Sequence, residues 1–122
     1  MSTDTGLSGI LERLSLSSQG GAALICDREG LLLGCTGDTP SAEILAGLVS
    51  MVEDVVTRSE RMNAKRVDEV TLLDEQRERL VIRPLDLRGG RYFLVLRLGA
   101  RQTWRRNTNE ACRAIAQHLG AA

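Results

Sequence analysis

Residues 22–36 read AALICDREGLLLGCT, two apolar runs joined by the tetrapeptide Asp27-Arg28-Glu29-Gly30. Aspartate is favoured at the start of a type I turn and glycine where the chain must turn left-handed, so the stretch predicts a β-hairpin. Both faces of this hairpin are apolar, because neither run alternates between apolar and polar residues. We therefore expect other parts of the chain to cover the sheet on both sides.

Each apolar run carries one cysteine, Cys26 or Cys35. If residues 28–30 form the loop, Cys26 lies opposite Leu32 and Cys35 lies opposite Ala23, so the two thiols point to opposite faces several rungs apart. Cysteines whose Cα atoms are more than about 7 Å apart cannot be bridged. We expect no disulfide here, and we interpret all three cysteines, Cys112 included, as small core residues rather than redox groups.

The composition favours one small domain. The chain has 122 residues, of which 43% are hydrophobic, and this is enough for one core, so we predict a single domain spanning 1–122. Sixteen basic residues balance sixteen acidic ones, which favours neither nucleic acid nor an anionic membrane as a partner. No apolar run approaches the roughly 20 residues of a membrane span, and no C-x-x-C occurs. We expect a cytoplasmic protein without membrane insertion.

Apolar periodicity predicts three helices. A short first helix is indicated by Leu7, Ile10, Leu11 and Leu14, and a last one by apolar residues at helical spacing over 111–119. Between them the spacing predicts a long middle helix over 40–61, with Thr39 as its cap and Pro40 at its first position.

Three further strands are predicted over 67–74, 79–85 and 91–99. Pro84 is expected to close the second of them, and the last is apolar on both faces and therefore belongs near the sheet centre. The order is α-β-β-α-β-β-β-α. This predicts a mixed α/β, or α+β, sandwich in which a five-stranded antiparallel sheet carries helices on both faces.

The middle helix is apolar over a wider arc than one sheet face needs. At about 100° per residue its large apolar residues fill an arc of about 160°. They are Ile44, Leu45, Leu48, Val49, Met51, Val52, Val55 and Val56. One edge of this arc either completes the core or meets a second copy of the chain, and the apolar edge of the third strand favours the second copy.

The sequence offers no constellation for catalysis, for a cofactor or for a metal. There is no G-x-x-x-x-G-K-[ST] loop for nucleotide phosphates. His118 is the single histidine, and the cysteines lie on separate elements without ligand spacing. His118 is explained as a side chain near the last carbonyls of a helix, so we assign no catalytic residue and expect no enzyme.

A basic cluster around a tryptophan is the other candidate site. Arg101, Arg105 and Arg106 surround Trp104, and tryptophan and arginine dominate many interfaces, so this patch could hold an acidic partner surface. The alternative is that Trp104 packs against the sheet while the arginines are solvated. The sequence does not separate these two interpretations.

The pattern of residues 7–56 resembles the roadblock (dynein light chain) family, whose bacterial members include regulators of the Ras-like GTPase that controls gliding polarity. The resemblance rests on the helix with Leu-x-x-Ile-Leu-x-x-Leu, the hairpin Gly21-Ala22-Ala23-Leu24-Ile25-Cys26-Asp27-Arg28-Glu29-Gly30, the loop at Gly37 and the helix containing Ile-Leu-Ala-Gly-Leu. The C-terminal half matches only as a generic meander followed by a helix.

This resemblance implies a profilin-like sandwich that forms a homodimer and serves as a platform for a small Ras-like GTPase. It implies no catalytic residue. The dimer contacts that it implies are in the middle helix and the third strand: Leu48, Met51, Val52, Val55, Val56, Val70 and Leu72. The alternative is a sensor domain that cradles a small ligand against its sheet, which would need a closed pocket with polar as well as apolar lining.

Overall fold

Five antiparallel strands form one sheet with helices on both faces, in the predicted order α-β-β-α-β-β-β-α. The computed structural model describes residues 5–19, 21–100 and 102–120. The helices are α1 (Thr5–Ser17), α2 (Thr39–Asn63) and α3 (Arg105–Leu119), and the strands are β1 (Ala23–Asp27), β2 (Leu32–Cys35), β3 (Val70–Leu73), β4 (Arg79–Leu87) and β5 (Gly90–Leu98). The strand order β2-β1-β5-β4-β3 places β5 at the centre, as its two apolar faces predict.

The first hairpin forms, but its predicted register is wrong beyond Cys26. Cys26 pairs with Leu32 as expected, and then a β-bulge shifts the ladder so that Ile25 lies opposite Gly34. The bulge places Gly34 beneath α1, where a Cβ atom would lie 3.4 Å from a methyl group of Leu11. The extra residue therefore turns a residue without a side chain towards α1.

Because of the bulge, the predicted placement of the two thiols on opposite faces is also wrong. Cys35 pairs with Leu24 instead of Ala23, and both cysteines therefore belong to the sheet face that α2 covers, rather than to opposite faces. Both are free thiols.

Two β-turns use an aspartate in the same way. Asp27 Oδ1 accepts hydrogen bonds from the backbone N–H groups of Glu29 and Leu31, each at 2.9 Å. In the turn between β3 and β4, Asp74 Oδ1 accepts from the N–H groups two and four residues further along, also at 2.9 Å. The left-handed position is Gly30 in the first turn, with φ +87°, and Arg77 in the second, with φ +69°.

The bounds of α2 and of two strands differ from the prediction. Asp38, not Thr39, caps α2, because its carboxylate accepts a hydrogen bond from the N–H of Ser41 at 2.9 Å. β3 is shorter than 67–74, and β4 continues through Pro84 to Leu87. Pro84 is tolerated because β3 pairs with β4 only as far as Ile82, so the proline lies where the outer side of β4 has no ladder to donate to.

Two apolar layers hold the sandwich together. α1 and α3 cover one sheet face, with Leu11, Leu94 and Ile115 at its core. α2 covers the other face, with Ala46, Val49 and Phe93 at its core. Within the described ranges, no helix combines the length and the apolar character needed to cross a membrane.

Candidate functional site

One side of α2 carries large apolar side chains that face water. The opposite side is buried at Ala42, Ala46, Val49 and Val56, and the first three belong to the core cluster between α2 and the sheet. The exposed fractions are 75% for Ile44, 69% for Met51, 62% for Val55 and 85% for Met62. At about 100° per residue these four lie within an arc of about 40°. With the half-buried Leu48, which lies about 20° outside this arc, they form what we call the helix stripe.

The helix stripe continues onto the sheet. Half-buried Leu45 and Val52 lie between it and the β3–β4 pair, and both pack against the core cluster under α2. Leu72 pairs with Leu80 across the two strands and is 42% exposed. A shallow surface groove joins α2 to the two strands, with four leucines in its lining and charged side chains beside them: Leu45, Leu72, Leu73 and Leu80, with Asp74, Glu78, Arg79 and Arg97. The helix stripe, Leu45, Val52, Val70 and Leu72 therefore form one continuous surface, which we call the apolar face.

The outer edge of β3 bounds the apolar face. β3 ends the sheet, so among the described residues no strand pairs with its outer side. Its four residues, Val-Thr-Leu-Leu, include no charge and no proline. Edge strands that stay unpaired usually carry such residues to prevent association, and β3 lacks them.

The structure divides the seven predicted interface residues into two groups. Six reach the apolar face: Leu48, Met51, Val52, Val55, Val70 and Leu72. Val56 does not, because it is 1% exposed and packs within the protomer. Two residues that the prediction left out, Ile44 and Met62, are the most exposed members of the helix stripe. Ile44 could have been found from its spacing of four to Leu48 and seven to Met51.

Ion pairs fix how α2 is rotated on the sheet. Arg91 Nη1 donates to Glu60 Oε1 at 2.9 Å, and its Nε donates to Asp86 Oδ1 at 2.9 Å, so the C-terminal part of α2 is tied to the β4–β5 hairpin. The hydrogen bond from Arg91, followed by one from the backbone N–H of Val67, lowers the pKa of Glu60. Near the middle of α2, Arg28 Nη2 donates to Glu53 Oε1 at 2.9 Å. These contacts lie away from the helix stripe and hold it towards water.

Trp104, at the centre of the predicted basic patch, packs within the fold. Arg101 lies outside the described residues. Trp104 packs against the core under α3, and its indole N–H donates to Glu69 Oε1 at 2.8 Å. The guanidinium groups of Arg79 and Arg105 lie 5.1 and 4.7 Å from its ring centroid. This favours the packing interpretation of Trp104, while Arg105 and Arg106 are exposed and stay a predicted partner patch.

The thiols of Cys26 and Cys112 are largely buried in the core. Burial, with a smaller contribution from Asp27, raises the pKa of Cys26 to about 12. Burial also raises the pKa of Cys112 to about 11. Thiolate is the reactive form of cysteine, so these two are poor nucleophiles. Across residues 5–19, 21–100 and 102–120, no group of three or more His, Cys, Asp or Glu side chains could hold a metal ion.

The spaces between sheet and helices are filled by side chains. The core residues of both layers are at most 6% exposed. A sensor that cradles a ligand against its sheet needs an opening there with polar lining, and this packing gives no support to that alternative.

Comparison with known proteins gives similarity in structure without similarity in sequence. No family profile and no curated protein matches the sequence. The gliding protein MglB from Thermus thermophilus is similar in structure, with a TM-score of 0.81 and 18% identity over 98% of this chain and 92% of that one. MglB of Myxococcus xanthus has a TM-score of 0.82 and 15% identity, over 96% of this chain and 97% of that one.

A third similar structure is a roadblock/LC7 domain from Streptomyces avermitilis. It has a TM-score of 0.76 and 16% identity, over 92% of this chain and 96% of that one. These structures confirm the fold expected from the resemblance, and the chain has the roadblock fold of MglB and roadblock/LC7 proteins.

Proposed function

We propose that this chain is a homodimeric adaptor or regulator, without enzymatic activity of its own, that binds a small Ras-like GTPase. The apolar face is the observation that carries the proposal. It joins a row of exposed side chains on α2, from Ile44 to Met62, to the uncharged open edge of β3. Exposed apolar surface of this extent on a small domain is typical of an interaction site.

A second copy of the chain is the partner that suits the apolar face best. An open strand edge pairs with another strand, and an apolar helix row packs against another such row. A two-fold axis beside β3 and perpendicular to the sheet would satisfy both at once, because an isologous contact brings each element against itself. The two sheets would then join into one of ten strands, with the two α2 helices side by side on the same face.

The charges beside the helix stripe are compatible with such a contact. Arg58 Nε lies 3.1 Å from Asp54 Oδ2 within α2, so these two flanking charges neutralise each other. Because the two charges are paired, burying the neighbouring apolar surface would not leave an isolated charge to be desolvated.

The GTPase partner is supported by the fold and by the resemblance in residues 7–56. Structures of MglB, a gliding protein, share the fold of the entire described chain. The resembling family includes bacterial regulators of a Ras-like GTPase. The absence of a P-loop motif in this sequence means that the nucleotide would be held by the partner.

Binding to a GTPase in defined nucleotide states tests this function. The immobilised chain would be used to recover proteins from the native cytoplasm, and a recovered small Ras-like GTPase would be purified and loaded with GDP or a non-hydrolysable GTP analogue. Calorimetry should give affinities that differ at least about tenfold between the two states. Equal weak affinity in both states, from a chain that still dimerises, would leave a scaffold and rule out the GTPase role.

A further inference from the structure

Residues 68–69, which lead into β3, are bound by side chains on the sheet face that α1 and α3 cover, opposite the apolar face. The ladder between β3 and β4 begins at Val70, so Asp68 and Glu69 take no part in it. They are instead bound by an arginine of β4 and by Trp104 and Arg105 at the N-terminal end of α3. The open edge of β3 thus begins at a polar cluster whose other members lie under α3.

Arg83 is the centre of this cluster and is 8% exposed. Its Nε donates to the backbone carbonyl of Asp68 at 2.9 Å, and its Nη2 donates to Asp68 Oδ1 at 3.2 Å. Its Nη1 donates to Thr108 Oγ1 at 2.9 Å and to Asn109 Oδ1 at 2.8 Å. One planar guanidinium group therefore bridges the β3 lead-in and α3, a geometry that lysine does not reproduce.

Trp104 holds the next residue of the lead-in. Its indole N–H donates to Glu69 Oε1 at 2.8 Å, and Arg105 Nη2 lies 3.8 Å from Glu69 Oε2. Trp104 is itself fixed, because it packs against the α3 core and its carbonyl accepts a hydrogen bond from the buried Thr108 hydroxyl at 2.9 Å. Both lead-in residues are thus attached to the start of α3.

We infer that Arg83 and Trp104 are positioning residues for the edge of β3, so that the N-terminal end of α3 controls how readily this edge pairs with a second copy. The inference rests on the proposed homodimer. β3 has only four pairs with β4, so a loosened lead-in would fray the strand from Val70. Ordering one frayed residue in each of the two chains on association should weaken dimerisation by about a hundredfold.

The test compares Trp104→Phe with Tyr92→Phe. Trp104→Phe keeps an aromatic ring and removes the N–H that donates a hydrogen bond to Glu69. Tyr92→Phe removes the hydroxyl group of another aromatic residue in the same core cluster. Dimer dissociation constants would be measured by analytical ultracentrifugation. Amide hydrogen exchange of residues 68–73 would be measured in a monomeric Val55→Asp background.

Trp104→Phe should raise the dimer dissociation constant about a hundredfold and accelerate exchange over residues 68–73, and Tyr92→Phe should do neither. Arg83→Lys should act in the same direction. Unchanged exchange in Trp104→Phe and Arg83→Lys, with only a lower melting temperature, would show a structural role and overturn the inference. If the wild-type chain is a monomer, the homodimer proposal fails separately, and the exchange rates still decide whether α3 anchors β3.

Discussion

Val55→Asp should disrupt association through the apolar face without unfolding the chain. Val55 is 62% exposed on α2, so an aspartate there meets water in the monomer and should leave the protomer folded. In the proposed dimer the same position lies between two copies of α2. Because the contact is isologous, each substitution introduces two carboxylates, one from each chain.

The expected loss of affinity follows from the exposed area. Full burial of a valine side chain is worth about 1.5–3 kcal/mol, so the 62% that is still exposed contributes about 1–2 kcal/mol per chain on association. Two chains lose about 2–4 kcal/mol, and two partly desolvated carboxylates facing each other add about 1–2 kcal/mol more. The middle of the resulting range, about 4.5 kcal/mol, corresponds to a dissociation constant about two thousandfold higher.

Sedimentation equilibrium of wild type and variant over a range of concentrations measures this change directly. Leu16→Asp is the matched control, because Leu16 is 80% exposed but lies on α1, on the other side of the sheet. It should leave the dissociation constant within about twofold. Equal association by Val55→Asp and wild type, with circular dichroism showing both folded, would refute the assigned surface.

Three further predictions concern turns, pH and thiols. Gly30→Ala should lower the free energy of unfolding by at least about 2 kcal/mol, since a Cβ atom there would lie 2.8 Å from a backbone oxygen of α2. Arg77→Gly should raise it by about 0.5 kcal/mol, and denaturant titration with the opposite order would contradict this account of both turns. The pKa of Glu60 is lowered on folding, so its contribution is present above pH 4.5 and is lost as the pH falls through the folded-state value. Glu60→Gln should therefore cost about 1 kcal/mol at pH 7 and almost nothing in strong acid, and a cost independent of pH would exclude the ion pair as its cause. Ellman's reagent at pH 8 should leave Cys26 and Cys112 unreacted in the native protein, and rapid labelling of either would show that burial does not protect it.

The order of elements could be predicted because each element has a clear apolar period. The hairpin at 22–36, the alternation in the later strands and the helical spacing all identify element type from local pattern alone. The position of β5 was also predictable, since its residues are apolar on both faces. These features depend on which surfaces are covered and not on the details of packing.

The register of the first hairpin could not be predicted, because it depends on a helix that packs from elsewhere in the chain. The turn residues fix the pairing of Cys26 with Leu32. Beyond that pair, a bulge brings Gly34 rather than Leu33 beneath α1. Nothing in the local sequence of the hairpin specifies how close α1 approaches.

The exposed residues of α2 were predicted incompletely, because the prediction rested on its large apolar side chains alone. The sheet side of α2 is marked by Ala42 and Ala46, whose small size lets the helix lie close to the sheet. Including them rotates the buried side so that Val56 faces the core and Ile44 faces water. The hydrogen bonds of Arg83 were not predictable, since they join residues 15 to 26 positions apart.

Hydrogen exchange at β3 as a function of protein concentration tests the homodimer most directly. On a rising concentration series, the mass should increase from the 13.3 kDa of one chain to about twice that value, and the amides of Val70–Leu73 should become protected over the same range. Both changes should follow one dissociation constant. A chain that stays at 13.3 kDa at high micromolar concentration, with exchange at β3 independent of concentration, would contradict it.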